Sequence, residues 1–190
     1  LNLIDELEIK KIHLVGFSLG SLIARHFAAQ HGDRLSSLVL HASIYKRSKE
    51  QKRVVENRYE LIKMDNPASK ISSLRRWFTE SYIKNNKKVH DKIYSMLEDN
   101  NHQNFLKAYK LFVNYEDEDQ MLANINTNTL VTTGQFDVGS TTEMAKKLTE
   151  QIKGAKYIEI KNGKHLCHIE CDKNFNKTIE SFIDRNYDEA

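Results

Sequence analysis

The fold is decided by residues 14–20, Leu-Val-Gly-Phe-Ser-Leu-Gly, where an apolar strand pattern breaks at a serine between two glycines. A helical pattern of apolar residues then resumes over 22–28. In this setting Gly-x-Ser-x-Gly is a nucleophile elbow, a sharp turn that strains the serine backbone and holds its hydroxyl outward. Side chains at Gly16 and Gly20 are expected to collide with the neighbouring strand and helix. The pattern predicts Ser18 as a nucleophile at the N-terminus of a helix.

Two further polar residues follow predicted strands in the second half of the chain. Asp137 comes after an apolar run that ends at Gly134, and His165 comes after an alternating run and the turn Asn162-Gly163. Polar residues at the carboxyl ends of parallel strands meet at one edge of a doubly wound sheet. Taken singly, Asp137 could be a helix cap and His165 a surface histidine. Their type, their chain order after Ser18 and their strand-end positions together favour a Ser-His-Asp triad.

These segments resemble the α/β-hydrolase-fold enzymes of the 3-oxoadipate enol-lactonase and carboxylesterase type. The likeness is carried by residues 13–20, 130–145 and 163–166 and by Glu170. Residues 139–145, Gly-Ser-Thr-Thr-Glu-Met-Ala, are the most specific part and resemble the lactonase branch. The chain departs from the family at Ser21, where a second glycine is usual, and in its scarcity of prolines. We interpret these departures as compositional drift.

The resemblance also concerns the beginning of the chain. Complete enzymes of this type carry roughly 70 to 80 residues before the elbow strand, including the loop that supplies half of the oxyanion hole. Here a short helical pattern at residues 3–9 leads directly into the elbow strand. We therefore expect the chain to be a fragment of a longer protein. The alternative is an incomplete enzyme that lacks the second donor of the oxyanion hole.

The order of elements predicts an α/β fold. The expected architecture is a doubly wound, mostly parallel sheet, an α/β-hydrolase fold lacking its first strands, with a helical cap insertion. Three parts are predicted: residues 1–44 as core with the elbow, 45–124 as the cap, and 125–190 as core with the acid and histidine loops. The predicted strands are 11–15, 35–42, 129–133 and 156–160, and the predicted core helices are 2–8, 19–31, 141–152 and 173–185.

The resemblance extends to the surroundings of the nucleophile. It implies that the backbone N–H of Leu19 forms part of the oxyanion hole. Phe17, Arg76 and Trp77 are predicted to bind substrate, with Arg76 pairing with a substrate carboxylate. The alternative places Trp77 in the cap core and Arg76 in solvent. His41, at the end of its strand, could face the cavity or belong to the core.

Composition narrows the function classes. The 29 Lys and Arg are scattered among 26 Asp and Glu, a net charge of +3, which does not indicate a nucleic-acid partner. The apolar runs are too short for a membrane span. Cys167 and Cys171 do not have the spacing of a zinc site, and they fit reduced thiols in a cytoplasmic protein. We expect no metal and no cofactor. The expected partner is a small-molecule substrate, and a homodimer is possible on the sequence.

The function expected is a serine hydrolase that cleaves a small carboxylic ester or lactone through an acyl-enzyme. Two alternatives remain. One is other chemistry with the same triad: a C–C bond hydrolase, an acyltransferase or a cofactor-free perhydrolase. The other is a non-catalytic ligand-binding relative.

Overall fold

The computed structural model describes residues 1–65 and 67–187, in which four parallel strands form one sheet. Their order in the sheet follows the chain, and each strand pairs with the next along it. The strands are β1 (Ile12–Phe17), β2 (Leu35–His41), β3 (Thr129–Gly134) and β4 (Lys156–Ile160). The predicted parallel sheet is confirmed.

Strand β1 extends two residues beyond its predicted end. Phe17 pairs with His41, and the N–H of Ser18 donates to the His41 carbonyl oxygen over 2.9 Å. The ladder with β2 therefore continues up to the turn. This pairing carries Ser18 to the carboxyl edge of the sheet.

A 3₁₀ turn at Gly32–Arg34 follows the elbow helix. The core α-helices agree with the predicted pattern, apart from one short addition. That addition is a four-residue helix in the loop after His165, which is too short to show a hydrophobic period. The core helices are α1 (Asn2–Glu6), α2 (Leu19–His31), α9 (Thr142–Gln151), α10 (Cys167–Glu170) and α11 (Asp172–Tyr187). In the described ranges, no helix is both long and apolar enough to cross a bilayer.

Helices cover both faces of the sheet because neighbouring strand residues point to opposite sides. On β2, Leu38 and Leu40 pack in a core cluster that includes residues of α2 and α9. Val39, between them, packs with Leu130 and with Phe182 of α11. Continuous apolar strands buried on both faces are typical of parallel sheets. The doubly wound α/β class is thus confirmed.

Between β2 and β3 the described residues form six α-helices, which we call the helical segment. They are α3 (Lys49–Lys63), α4 (Pro67–Trp77), α5 (Glu80–Asn85), α6 (Lys87–Glu98), α7 (His102–Val113) and α8 (Asp119–Ala123). The position is that of the predicted cap, whose boundaries at 45 and 124 stay predictions. Residue 66 of that cap and residues 188–190 of the last predicted part lie outside the described residues.

Candidate active site

Ser18 occupies the sharp turn between β1 and α2. Its backbone φ is 51°, a value that residues with a side chain rarely adopt. A Cβ at Gly16 would lie 2.7 Å from the Cβ of Ala24, so glycine is required where the strand passes under the helix. The predicted collision at Gly20 was wrong. Apart from its chain neighbours and the backbone of its own helix, no described atom lies within 4 Å of a Cβ placed there, because that side of the first helical turn is open.

The structure brings Ser18, His165 and Asp137 into one hydrogen-bonded chain. The Oγ–H of Ser18 is placed to donate to Nε2 of His165 over 3.1 Å. The Nδ1–H of His165 donates to Oδ2 of Asp137 over 2.7 Å. Since a carboxylate only accepts, Asp137 selects the tautomer with hydrogen on Nδ1 and leaves Nε2 free to accept.

Asp137 is held as an anion although its side chain is only 1% exposed. Burial alone would raise the pKa of this carboxyl group. The hydrogen bond from His165, with those from the backbone N–H groups of Ser140 and Gly139 to Oδ1, outweighs burial and lowers the pKa below its ordinary value. The carboxylate thus stays charged and keeps its orientation toward the imidazole.

The acid and histidine loops touch through their backbones. The N–H of Phe136 donates to the Gly163 carbonyl oxygen over 2.9 Å. At Gly134, where β3 ends, an added Cβ would lie 2.1 Å from the carbonyl oxygen of Lys164. Only glycine permits this approach. The contact fixes the separation of the two loops and therefore that of Asp137 and His165.

A cavity of about 340 Å³ opens onto Ser18 and His165. Its remaining walls come mainly from α3, α4, α6 and α7 of the helical segment, and Leu19, Arg76 and Trp77 are among the lining residues. The four side chains of residues 75–78 therefore have different surroundings. Arg75 is exposed and Phe78 is buried, whereas Arg76 and Trp77 face the cavity.

Phe17 is placed differently from the prediction that it binds substrate. It is not among the described residues that line the cavity. Its ring packs against the rings of His41, His165 and His168, with centroids 4.5–5.3 Å apart. Phe17 therefore packs against the imidazole of His165 from outside the cavity. His41 is 1% exposed, in agreement with the core alternative.

Arg58 also lines the cavity, and sequence reasoning missed it. The helical spacing of Val55, Arg58 and Ile62 places them on one face of α3, and all three line the cavity. This spacing was the sequence signal for Arg58. The Nη2–H of Arg76 donates to Ser73 Oγ over 3.2 Å, while its buried Nε has no hydrogen-bond partner among the described residues. Burial and the nearby charge of Arg58 lower the pKa of Arg76 to about 10. Within the described ranges, neither arginine forms an ion pair with a carboxylate.

Behind the site, the buried His41 and the half-buried His168 share a hydrogen bond. Nε2 of His41 lies 3.2 Å from Nδ1 of His168. Burial, with repulsion from neighbouring histidines, lowers the pKa of His41 to about 3 and that of His168 to about 4. Both rings are therefore neutral near pH 7. Over the described parts of the chain, no group of three or more His, Cys, Asp or Glu is placed to hold a metal ion.

This histidine pair makes stability depend on pH. Below the ordinary pKa of 6.5, the unfolded chain binds protons at His41 and His168 that the folded protein does not bind. The free energy of unfolding therefore falls as the pH falls from about 6.5 toward 4. We expect the Tm to drop over this range and His168→Asn to reduce the drop. Thermal scans between pH 7 and 4 measure the change in Tm. An equal fall of Tm with pH in His168→Asn would contradict the role given to this histidine.

Comparison with known proteins gives consistent matches. The model of the alpha/beta hydrolase fold family matches residues 1–172. The (E)-2-((N-methylformamido)methylene)succinate hydrolase of Acinetobacter baylyi is 26% identical over 185 residues, covering 95% of this chain and 68% of that protein. 3-Oxoadipate enol-lactonase 1 of the same organism is 25% identical over 184 residues, covering 96% and 68%.

Comparison with solved structures also finds an enol-lactonase. The crystal structure of the enol-lactonase from Burkholderia xenovorans LB400 superposes with a TM-score of 0.85 and 26% identity, over 95% of this chain and 68% of that one. The match extends through the sheet and the helical segment. From its family match over most of its length and its parallel, doubly wound sheet, we conclude that this chain belongs to the alpha/beta hydrolase fold family.

Proposed function

We propose that the protein is a serine hydrolase that cleaves a small carboxylic ester or lactone through an acyl-enzyme. The observation that carries this proposal is the hydrogen-bonded chain from Ser18 through His165 to Asp137, which opens onto a cavity. A serine hydroxyl is a weak nucleophile at neutral pH without an adjacent base. Here the free Nε2 of His165 lies at the distance needed to take its proton.

The reaction follows from this geometry in two steps. Oγ of Ser18 attacks the carbonyl carbon while Nε2 of His165 takes the proton, and Asp137 stabilises the imidazolium. The oxyanion accepts a hydrogen bond from the N–H of Leu19, which as the first residue of α2 has no partner within the helix. His165 then protonates the leaving oxygen. Water, activated by the same histidine, releases the acyl group.

The chemistry of the cavity favours an anionic substrate. Arg58 and Arg76 both line the cavity, and neither charge is neutralised by an ion pair within the described part of the chain. A guanidinium binds a carboxylate through paired hydrogen bonds. The two relatives named for a substituted succinate and an enol-lactone of 3-oxoadipate support the same class. We infer that the substrate is an ester or lactone that carries a carboxylate, and that no cofactor takes part in the reaction.

Labelling with a fluorophosphonate tests the reaction. The probe phosphonylates a serine, with loss of fluoride, only when the hydroxyl is activated, so we expect one adduct on the peptide that contains Ser18. The His165→Ala variant is expected to lose the adduct and the turnover of para-nitrophenyl acetate. Peptide mass spectrometry locates the adduct. A protein that is folded yet gives neither adduct nor turnover would contradict the proposal.

Arg76→Gln tests the substrate class, with Arg75→Gln as a matched control from the next, exposed position. Because Arg76 lines the cavity, its loss should raise the KM for para-nitrophenyl hydrogen adipate by about tenfold or more. The neutral para-nitrophenyl hexanoate, with the same chain length, should be unaffected, and Arg75→Gln should change neither. Steady-state kinetics on the two esters measure the difference. Equal effects of Arg76→Gln on both esters would argue against a carboxylate contact.

A further inference from the structure

The loop that carries His165 is held on both sides of that residue. The N–H of Lys164 donates to Oε2 of Glu170 over 3.1 Å. The N–H of Leu166 donates to the carbonyl oxygen of Trp77 over 3.0 Å. The two backbone amides that flank the imidazole are therefore both fixed, one by a carboxylate and one by the end of α4.

Glu170 also binds the helical segment directly. Its Oε1 accepts from the backbone N–H of Thr79 over 3.0 Å and from the hydroxyl of the same residue. That hydroxyl in turn accepts from the N–H of Tyr82 over 3.3 Å and caps α5. One carboxylate thus joins the histidine loop to the junction between α4 and α5. Charge-assisted hydrogen bonds of this kind are about twice as strong as neutral ones.

Packing reinforces this junction. Leu166 lies in a core cluster with Leu74 and Phe78, each of which is only 1% exposed. The Nζ of Lys164 donates to the Arg75 carbonyl oxygen over 2.8 Å. Residues 75–79, which we call the anchor segment, therefore contact the histidine loop through hydrogen bonds and through apolar packing. The same segment carries Arg76 and Trp77 into the cavity wall.

We propose that Glu170 is a positioning residue for His165, and that it fixes the imidazole to the anchor segment that forms the substrate wall. This inference rests on the proposed function, because it assigns Glu170 a role in proton transfer at Ser18. Rates of proton transfer and attack depend steeply on geometry, and a displacement of about 1 Å can cost about a hundredfold. The base and the cavity wall thus keep one fixed distance as substrate binds.

The test compares Glu170→Gln and Glu170→Ala with Glu180→Gln, an exposed glutamate on α11 that serves as control. In Glu170→Gln the amide oxygen still accepts from Thr79, but the amide nitrogen no longer accepts from Lys164. We expect kcat on para-nitrophenyl hydrogen adipate to fall by about 10- to 100-fold in Glu170→Ala and by less in Glu170→Gln. KM should stay within about twofold, and fluorophosphonate labelling should slow in parallel with kcat. Glu180→Gln should match the wild type.

The outcomes separate this inference from the proposed function. A wild-type chain that neither labels nor turns over esters would overturn the proposed function, and this inference with it. Active wild type with unchanged kcat and labelling in folded Glu170 variants would overturn the positioning role alone. A rise in KM with kcat unchanged would do the same. If Glu170→Ala fails to fold, Glu170→Gln and Thr79→Val, which removes the hydroxyl donor, carry the same comparison.

Discussion

Ser18→Ala should abolish ester turnover, with a loss of at least about a thousandfold, and should remove the fluorophosphonate adduct. The substitution deletes only Oγ, the atom that lies 3.1 Å from Nε2 of His165. Among the described residues, this hydroxyl is the hydrogen-bond partner of Nε2. Without it, the first covalent step of the proposed mechanism has no nucleophile.

The fold should survive this change. Two features hold the turn. The N–H of residue 18 donates to the His41 carbonyl oxygen, and Gly16 lets the strand pass close to the helix. Alanine at position 18 changes neither feature. The Tm of Ser18→Ala should therefore stay near that of the wild type. Wild-type esterase activity in a folded Ser18→Ala protein would show that the elbow assignment is wrong.

Asp137→Asn should lower kcat by about four orders of magnitude, the size of loss expected when a triad acid becomes an amide. The amide oxygen can keep the hydrogen bonds from Gly139 and Ser140, which leaves the NH₂ group facing Nδ1 of His165. A donor at that point favours the tautomer with hydrogen on Nε2. The imidazole then no longer accepts the proton of Ser18.

Asp33→Asn is the matched control for Asp137→Asn, because Asp33 is an exposed aspartate after α2. Its kcat should equal that of the wild type. Circular dichroism shows whether each variant is folded, and initial rates on para-nitrophenyl acetate give kcat. A loss of less than about tenfold in folded Asp137→Asn would mean that this carboxylate does not set the tautomer of the base.

The sheet and the three hydrogen-bonded residues could be predicted because their signals are local. An apolar run, a glycine turn and a polar residue directly after a strand all lie within about ten residues of one another, and strand ends meet at a known edge of the sheet. Ser18, Asp137 and His165 therefore needed no knowledge of distant contacts. The elbow strand was underestimated by two residues because its pairing with His41 depends on β2.

The cavity wall could not be predicted in the same way. Periodicity shows which residues share a helix face, but it does not show which face meets the nucleophile. Arg58 was missed for this reason, although it shares a face with Val55 and Ile62. Phe17 was predicted to bind substrate, but strand alternation turns its ring toward His41 and His168. The homodimer and the cap boundaries stay predictions.

The chain-order arrangement of the sheet has a consequence for how the protein is made. Because β1, β2, β3 and β4 lie side by side in the order of synthesis, each new strand can join an edge that already exists as the chain leaves the ribosome. The pairing of β2 with β3 must nevertheless wait until the helical segment has been synthesised, a non-local contact of the kind that slows folding. His165 follows β4, so Ser18 and His165 come together only when β4 docks on β3. Gain of the proposed esterase activity during refolding would therefore report the docking of β4.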